Sequence, residues 1–329
     1  MKSQILSLLI TGLPFFMQAG VLTVSNHPNS PGQYTSISDA IAAASAGDTI
    51  YVHGSGVVYP AFTVNKQLTL IGPGHKPQKQ VAAIVQIAPP NIIFASGSSG
   101  SVIMGFYFQS GLTIDPGVNN LRIQENYSTG TLSVEGTGHL IMKNILRSGI
   151  GLNNYGVQGN IMVRNNIIEQ NLTGAIDATV EFSNNFIYSL NFCTNCAYTV
   201  FKNNIIWGTY PTSAINMTFL NNIAFLNIND TLPPPGSLGS GNIIGNPMFV
   251  SYPLAGTTFS YSHDYHLMSG SPAIGAGTDG TDIGIYGGVT PFDPYGEPPV
   301  PQVFEFNIHN PVIPSGGNLD IKITSKTKD

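Results

Sequence analysis

VEFSNNFIYS (residues 180–189), TVFKNNIIWG (199–208) and MTFLNNIAFL (217–226) say one thing three times. Working outwards, LRIQEN (121–126), LIMKN (140–144) and IMVRNN (161–166) say it in the preceding stretch. Aligned on the last Asn of each copy (Asn126, Asn144, Asn166, Asn185, Asn204, Asn222), the column three residues earlier reads Ile123, Ile141, Val163, Phe182, Phe201, Phe219. It has no polar exception. Two residues after the Asn the column is Ser128, Leu146, Ile168, Ile187, Ile206, Ala224. A period of roughly 20 residues announces a solenoid. Within each copy the polar/apolar alternation is that of a strand.

One strand per repeat, stacked on its copies, gives a parallel sheet with neighbours about 4.8 Å apart. A chain that bends at the same place on every coil needs a residue that tolerates a left-handed backbone, and Asn does so better than most. Stacked Asn amides also bond to the coils above and below, so an asparagine ladder is expected. A second Asn precedes it in four coils: Asn165, Asn184, Asn203 and Asn221. The fold class predicted is all-β, a right-handed parallel β-helix.

The repeated pattern resembles that of the right-handed parallel β-helix proteins, the pectin-lyase-like superfamily, whose coils commonly read I-x-x-N-x-I. The stretch DYHLMSGSPAIGAGTDGTDIGIYGG (264–288) resembles a segment near the C-terminal end of many secreted bacterial β-helix proteins, where it closes the solenoid. The resemblance implies fold strongly and function weakly, since this fold hosts lyases, hydrolases and adhesins.

Composition agrees with stacked turns satisfied by amides and hydroxyls, because only 9% of the 329 residues are charged. The net charge of −5 and the absence of a basic run argue against a nucleic-acid partner. Residues 1–20 read as a secretory signal: Lys2, an apolar run too short and Pro-interrupted to span a bilayer, then small residues. Export to the outside or the cell surface, as a monomer, is the expectation. Cys193 and Cys196 form a lone CxxC without the second pair of a zinc site, leaving a local disulfide or two free thiols.

In chain order, residues 21–290 are expected to form the β-helix. After a first strand, SISDAIAAA (36–44) reads as a helix with Ser36 or Ser38 at its cap and Ile37, Ala40, Ile41 and Ala44 on one apolar face. Such a helix covers the open end of a solenoid. Residues 60–250 supply nine or ten coils, a rod of roughly 45 Å at the inter-strand spacing. TLPPPGSLGSG (231–241) reads as a loop bulging from a late coil, and Asp264, Asp279 and Asp282 as turn formers. Residues 291–303 are a Pro-rich linker, and 304–329 a terminal β-hairpin.

Chemistry is sparse. Arg164, Glu181 and Lys202 fall on three consecutive coils of one outward face, where they would attract an acidic glycan. Tyr188, Trp207 and Phe225 form an aromatic column three residues after the Asn, which suits sugar rings if exposed and is a packed stack if not. His139 occupies an inward column and reads as a buried, satisfied histidine; Gly138-His139-Leu140 only partly echoes a motif of hydrolases with this fold. No catalytic residue is assigned and no metal ligand set is found; calcium would need neighbouring carboxylates that Glu125 and Glu135 do not supply. The expectation is a secreted β-helix that contacts extracellular polysaccharide as binder or lyase-like protein. The alternative is a structural or adhesive surface solenoid.

Overall fold

A computed structural model describes residues 19–29, 32–76, 83–152, 159–174, 179–194, 196–208, 215–225, 231–310 and 312–326. Most of the predicted signal segment lies outside these residues. Among them the chain winds as a right-handed parallel β-helix. Its first sheet stacks eleven strands in chain order from Val21–Val24 to Leu238–Ser240. The second sheet has fourteen, and there Ile167–Thr173 and Phe186–Thr194 run through a corner that other coils break. From Thr69–Ile71 onward the first sheet has nine strands, so eight coil-to-coil steps span about 38 Å, somewhat short of the expected rod.

The lumen is a set of like-on-like columns. Ile123, Ile141, Val163, Phe182, Phe201 and Phe219 are in register and buried. The rings of Phe182, Phe201 and Phe219 stack 5.0 and 5.1 Å apart, the spacing of the strands that carry them. The bend is held by amides. Backbone N–H and Nδ2 of Asn185 both donate to Oδ1 of Asn204, at 2.9 Å each, and Asn204 repeats this on Asn222. Each Nδ2 also donates back to a strand carbonyl, as Asn204 does to Phe182 at 2.8 Å. The series starts at Asn126 and continues one coil beyond the quoted repeats, to Asn242.

The left-handed residue is not the stacked Asn. Positive φ falls on its predecessor: Glu125, Lys143, Asn165, Asn184, Asn203 and Asn221, all between 49 and 57°. Glycine takes the place at the two ends, Gly105 and Gly241. The first Asn of each pair therefore makes the bend, and the second bonds it to the next coil.

Both ends are closed. The helix Ile37–Ala43 has Ser36 as its cap and lays Ile37, Ala40 and Ile41 on the first coils. Lys66 donates to the exposed carbonyls of Ala42 and Ala44 at the helix end. At the other end, the Pro-rich loop covers the core where a bulge was expected. Leu232 packs on the lumen cluster, Pro234 is buried, and Pro233 lies against Gly239, whose added Cβ would meet its Cδ at 3.0 Å. Prolines without N–H groups also leave little edge for another strand to pair with.

The segment after Asn246 does not close the solenoid; it straps its side. One leg passes from Gly256, against Tyr188 and Trp207, to Tyr261, whose hydroxyl lies 2.8 Å from His75 Nδ1. A second returns to Ala276 and Thr278, which bond Asn221 and Asn203. A third descends along Asn184 and Asn165, which donate to Gly284 and Ile285 carbonyls, and ends where the Tyr295 carbonyl accepts from His75 N–H. Asp264, Asp279 and Asp282 accept backbone N–H groups of His266, Thr281 and Gly275 within it. Beyond the strap, Gln302–Ile308 and Ile321–Lys326 pair as an antiparallel hairpin.

Candidate functional site

The outward side of the first sheet carries two columns. One reads Val102, Arg122, Leu140, Met162, Glu181, Val200; the other Met104, Gln124, Met142, Arg164, Ser183, Lys202. Arg164 and Lys202 are thus two coils apart in one column, about 10 Å at the strand spacing. Lys202 Nζ lies 3.2 Å from Glu181 Oε2, so two of the three expected charges meet. Among the described residues Arg164 joins no ion pair and its buried Nε meets no hydrogen-bond partner. Arg122 adds a fourth charge, with Nε donating to Gln124 Oε1. Lys143, at the bend, lies 3.8 Å from the buried Glu125. Met162, 41% exposed, gives this face an apolar surface between the cations.

The aromatic column is real in register but closed to ligands at its centre. Tyr188, Trp207 and Phe225 are Cα partners on successive coils. Trp207 is only 1% exposed, with Phe225 4.8 Å, Tyr252 4.9 Å and Phe249 5.6 Å from it. Of the two readings of this column, the packed stack is the one the structure shows at Trp207, and an open platform there is ruled out. The column is what the strap packs on, with Tyr188 and Phe225 half-buried at its flanks.

Followed upwards, the same column holds what the sequence reading missed. Three residues after Asn144 and Asn166 stand Arg147 and Glu169. Arg147 Nε is 2.5 Å from Glu169 Oε2, and Nη1 donates to Tyr127 Oη at 2.7 Å. The other carboxylate oxygen of Glu169 accepts the Phe259 N–H from the strap. Burial pushes the Glu169 carboxyl up, against the opposing pull of Arg147 and of that N–H. The signal was present in the unbroken column; it was overlooked because only its aromatic end was read.

His139 is buried between a donor and an acceptor. Nδ1 accepts the Leu121 N–H at 3.2 Å, and Nε2 faces the Glu135 carbonyl at 2.7 Å, which assigns the proton to Nε2. Cys193 and Cys196 are joined as a disulfide. Among the described residues no group of three or more His, Cys, Asp or Glu side chains is placed to hold a metal. None of their helices is long and apolar enough to cross a membrane.

No protein-family model matches the chain. No curated protein matches it either. Among solved structures it is similar to the crystal structure of pectate lyase Pel9A, at 14% identity and a TM-score of 0.35, over 81% of this chain and 96% of that one. A likeness of that size bears on neither family nor activity.

Proposed function

We propose that the protein is an exported β-helix that holds acidic extracellular polysaccharide along the outer face of its first sheet. One observation carries the reading. Of twelve Lys and Arg residues in an acidic chain, Arg122, Lys143, Arg164 and Lys202 lie on this face or its edge, met there by Glu125, Glu181 and, from the strap, Asp279, which also feels Lys202. The cations follow the rod axis, and Met162 and its apolar neighbours offer surface to the C–H faces of sugars. The reading is one of binding: Glu181 is committed to Lys202, and Glu169 is buried under the strap. The Lys2-led apolar segment supports export.

The test is polymer binding by the intact protein. Polygalacturonate and alginate are expected to bind at low salt and to weaken as salt screens the charges, while neutral dextran does not bind. Replacing Arg164 and Lys202 together by Gln is expected to weaken binding about tenfold or more. Glu181→Gln is expected to tighten it, because one opposing charge is gone. No binding to any acidic polymer would leave a structural solenoid as the better reading. Unsaturated-sugar absorbance on incubation with the uronans would replace binding by elimination.

A further inference from the structure

Arg147 is held as a ligand-binding arginine is held. Its inner edge is fixed twice, by Glu169 at 2.5 Å and by Tyr127 Oη at 2.7 Å. Glu169 is itself fully buried and pinned by the strap, so the guanidinium plane has little freedom. Yet 27% of the Arg147 side chain is exposed, and the two bonds that fix it use Nε and Nη1, not Nη2. A buried arginine–carboxylate pair is a poor way to gain stability, because desolvation consumes much of the attraction. The neighbouring coils show that it is not needed to seat the strap: Tyr188 and Trp207 do so in the same column by apolar packing.

What surrounds the open edge is specific. Tyr107, half-buried, is stacked at 4.7 Å and 12° between planes on Tyr127, the ring whose hydroxyl accepts from Arg147. In the arginine's own column the two preceding coils present Thr129 and Gln109, both partly or fully exposed. The Gln109 amide is oriented by Gln86 at 2.9 Å. Guanidinium, hydroxyl and amide therefore stand in single file over about 10 Å, with a tyrosine alongside. The Thr129 hydroxyl donates to the Phe108 carbonyl and so offers an acceptor, while the Gln109 amide keeps one N–H free of Gln86. A guanidinium that takes oxyanion oxygens, next to a neutral donor, a hydroxyl acceptor and an aromatic surface, fits an oxyanion carried on a hydroxylated ring.

We infer that Arg147, Thr129, Gln109 and Tyr107 form a binding site for a single anionic sugar ring, carboxylated or sulfated. The site lies across the asparagine bend from Arg164 and Lys202, and goes beyond polymer holding. Glu169 and Tyr127 are positioning residues.

Heteronuclear NMR titration of the full chain with glucuronate, glucose 6-sulfate, glucose and inorganic sulfate tests it. One or both anionic sugars are expected to shift the amides of 107–109, 129 and 147, and to do so at lower concentration than glucose or sulfate. Which of the two binds more tightly identifies the oxyanion. Arg147→Lys keeps the charge opposite Glu169 but loses the fork, and is expected to weaken binding about tenfold. Tyr107→Leu and Gln109→Ala, both at the surface, are expected to weaken it several-fold, and decide the matter if Arg147→Lys does not fold. The Arg164/Lys202 double Gln variant is expected to bind the sugars as the parent does. Binding of neither anionic sugar, shifts confined to the first sheet, or affinity unmoved by all three site variants would each overturn the site.

Discussion

A single asparagine does three things at each coil: its Oδ1 receives two donors from the coil before, and its Nδ2 serves both neighbouring coils. Asn204 is the clearest case, with Asn185 donating to it and Asn222 receiving from it. Asn204→Ala is expected to cost about 1–3 kcal/mol in denaturant unfolding, since buried N–H groups lose their acceptor. His139 gives the second residue-level prediction. Its pKa is lowered by burial, and a second proton would set N–H against the Leu121 N–H. A histidine depressed in the folded state contributes stability above its unfolded pKa of 6.5, and loses it as pH falls through the folded value. Stability measured from pH 7 downwards is expected to fall more steeply in the parent than in His139→Gln. Parallel curves would show that His139 stays neutral or leaves its niche.

At the scale of elements, the repeats made strands and bends legible, and a four-residue apolar face (Ile37, Ala40, Ile41, Ala44) made the cap legible. The strap was not, although its seat was written in plain residues. Immediately after the stacked Asn stand Tyr127, Ile145, Ile167, Phe186, Ile205 and Ile223, next to an inward column that is apolar but for Ser128. Two consecutive apolar columns mean a sheet buried on both faces, so a covering element was implied. Of the two readings of the aromatic column, only the packed stack agrees with such a cover. The cationic face was legible because its two columns alternate around a lumen-facing one. Arg147 was not, since its meaning depends on Phe259 and Tyr127, brought to it by the strap and by a coil above. Gly256 tests the strap directly. At φ +73° its added Cβ would lie 2.8 Å from the Tyr188 ring and 2.9 Å from Trp207 Nε1. Gly256→Ala is expected to destabilise by about 1–3 kcal/mol and to lift this leg. Trp207 is the sole tryptophan, so its emission is expected to shift to the red. An unchanged spectrum with unchanged stability would mean that the leg is not held there.

For the whole molecule, the physical unit is a rod closed by a helix at one end and prolines at the other, with its apolar flank strapped. The strap bonds four successive bend residues, Asn165 to Asn221, so lifting it costs contacts on several coils at once and couples them into one cooperative body. The hairpin stands outside this unit. Ile308, Ile321 and Ile323 are all exposed, the last at 59%, and a two-stranded hairpin contributes little on its own. Ending the chain after Pro301 is therefore expected to leave the melting midpoint of the rod within about 2 °C of the parent. It is also expected to leave the Trp207 emission unchanged, because among the described side chains none from the hairpin belongs to the cluster around that ring. A large fall in the midpoint would instead make the hairpin part of the folded body. Exposure at Ile321 and Ile323 would then have to be explained by contacts formed in solution.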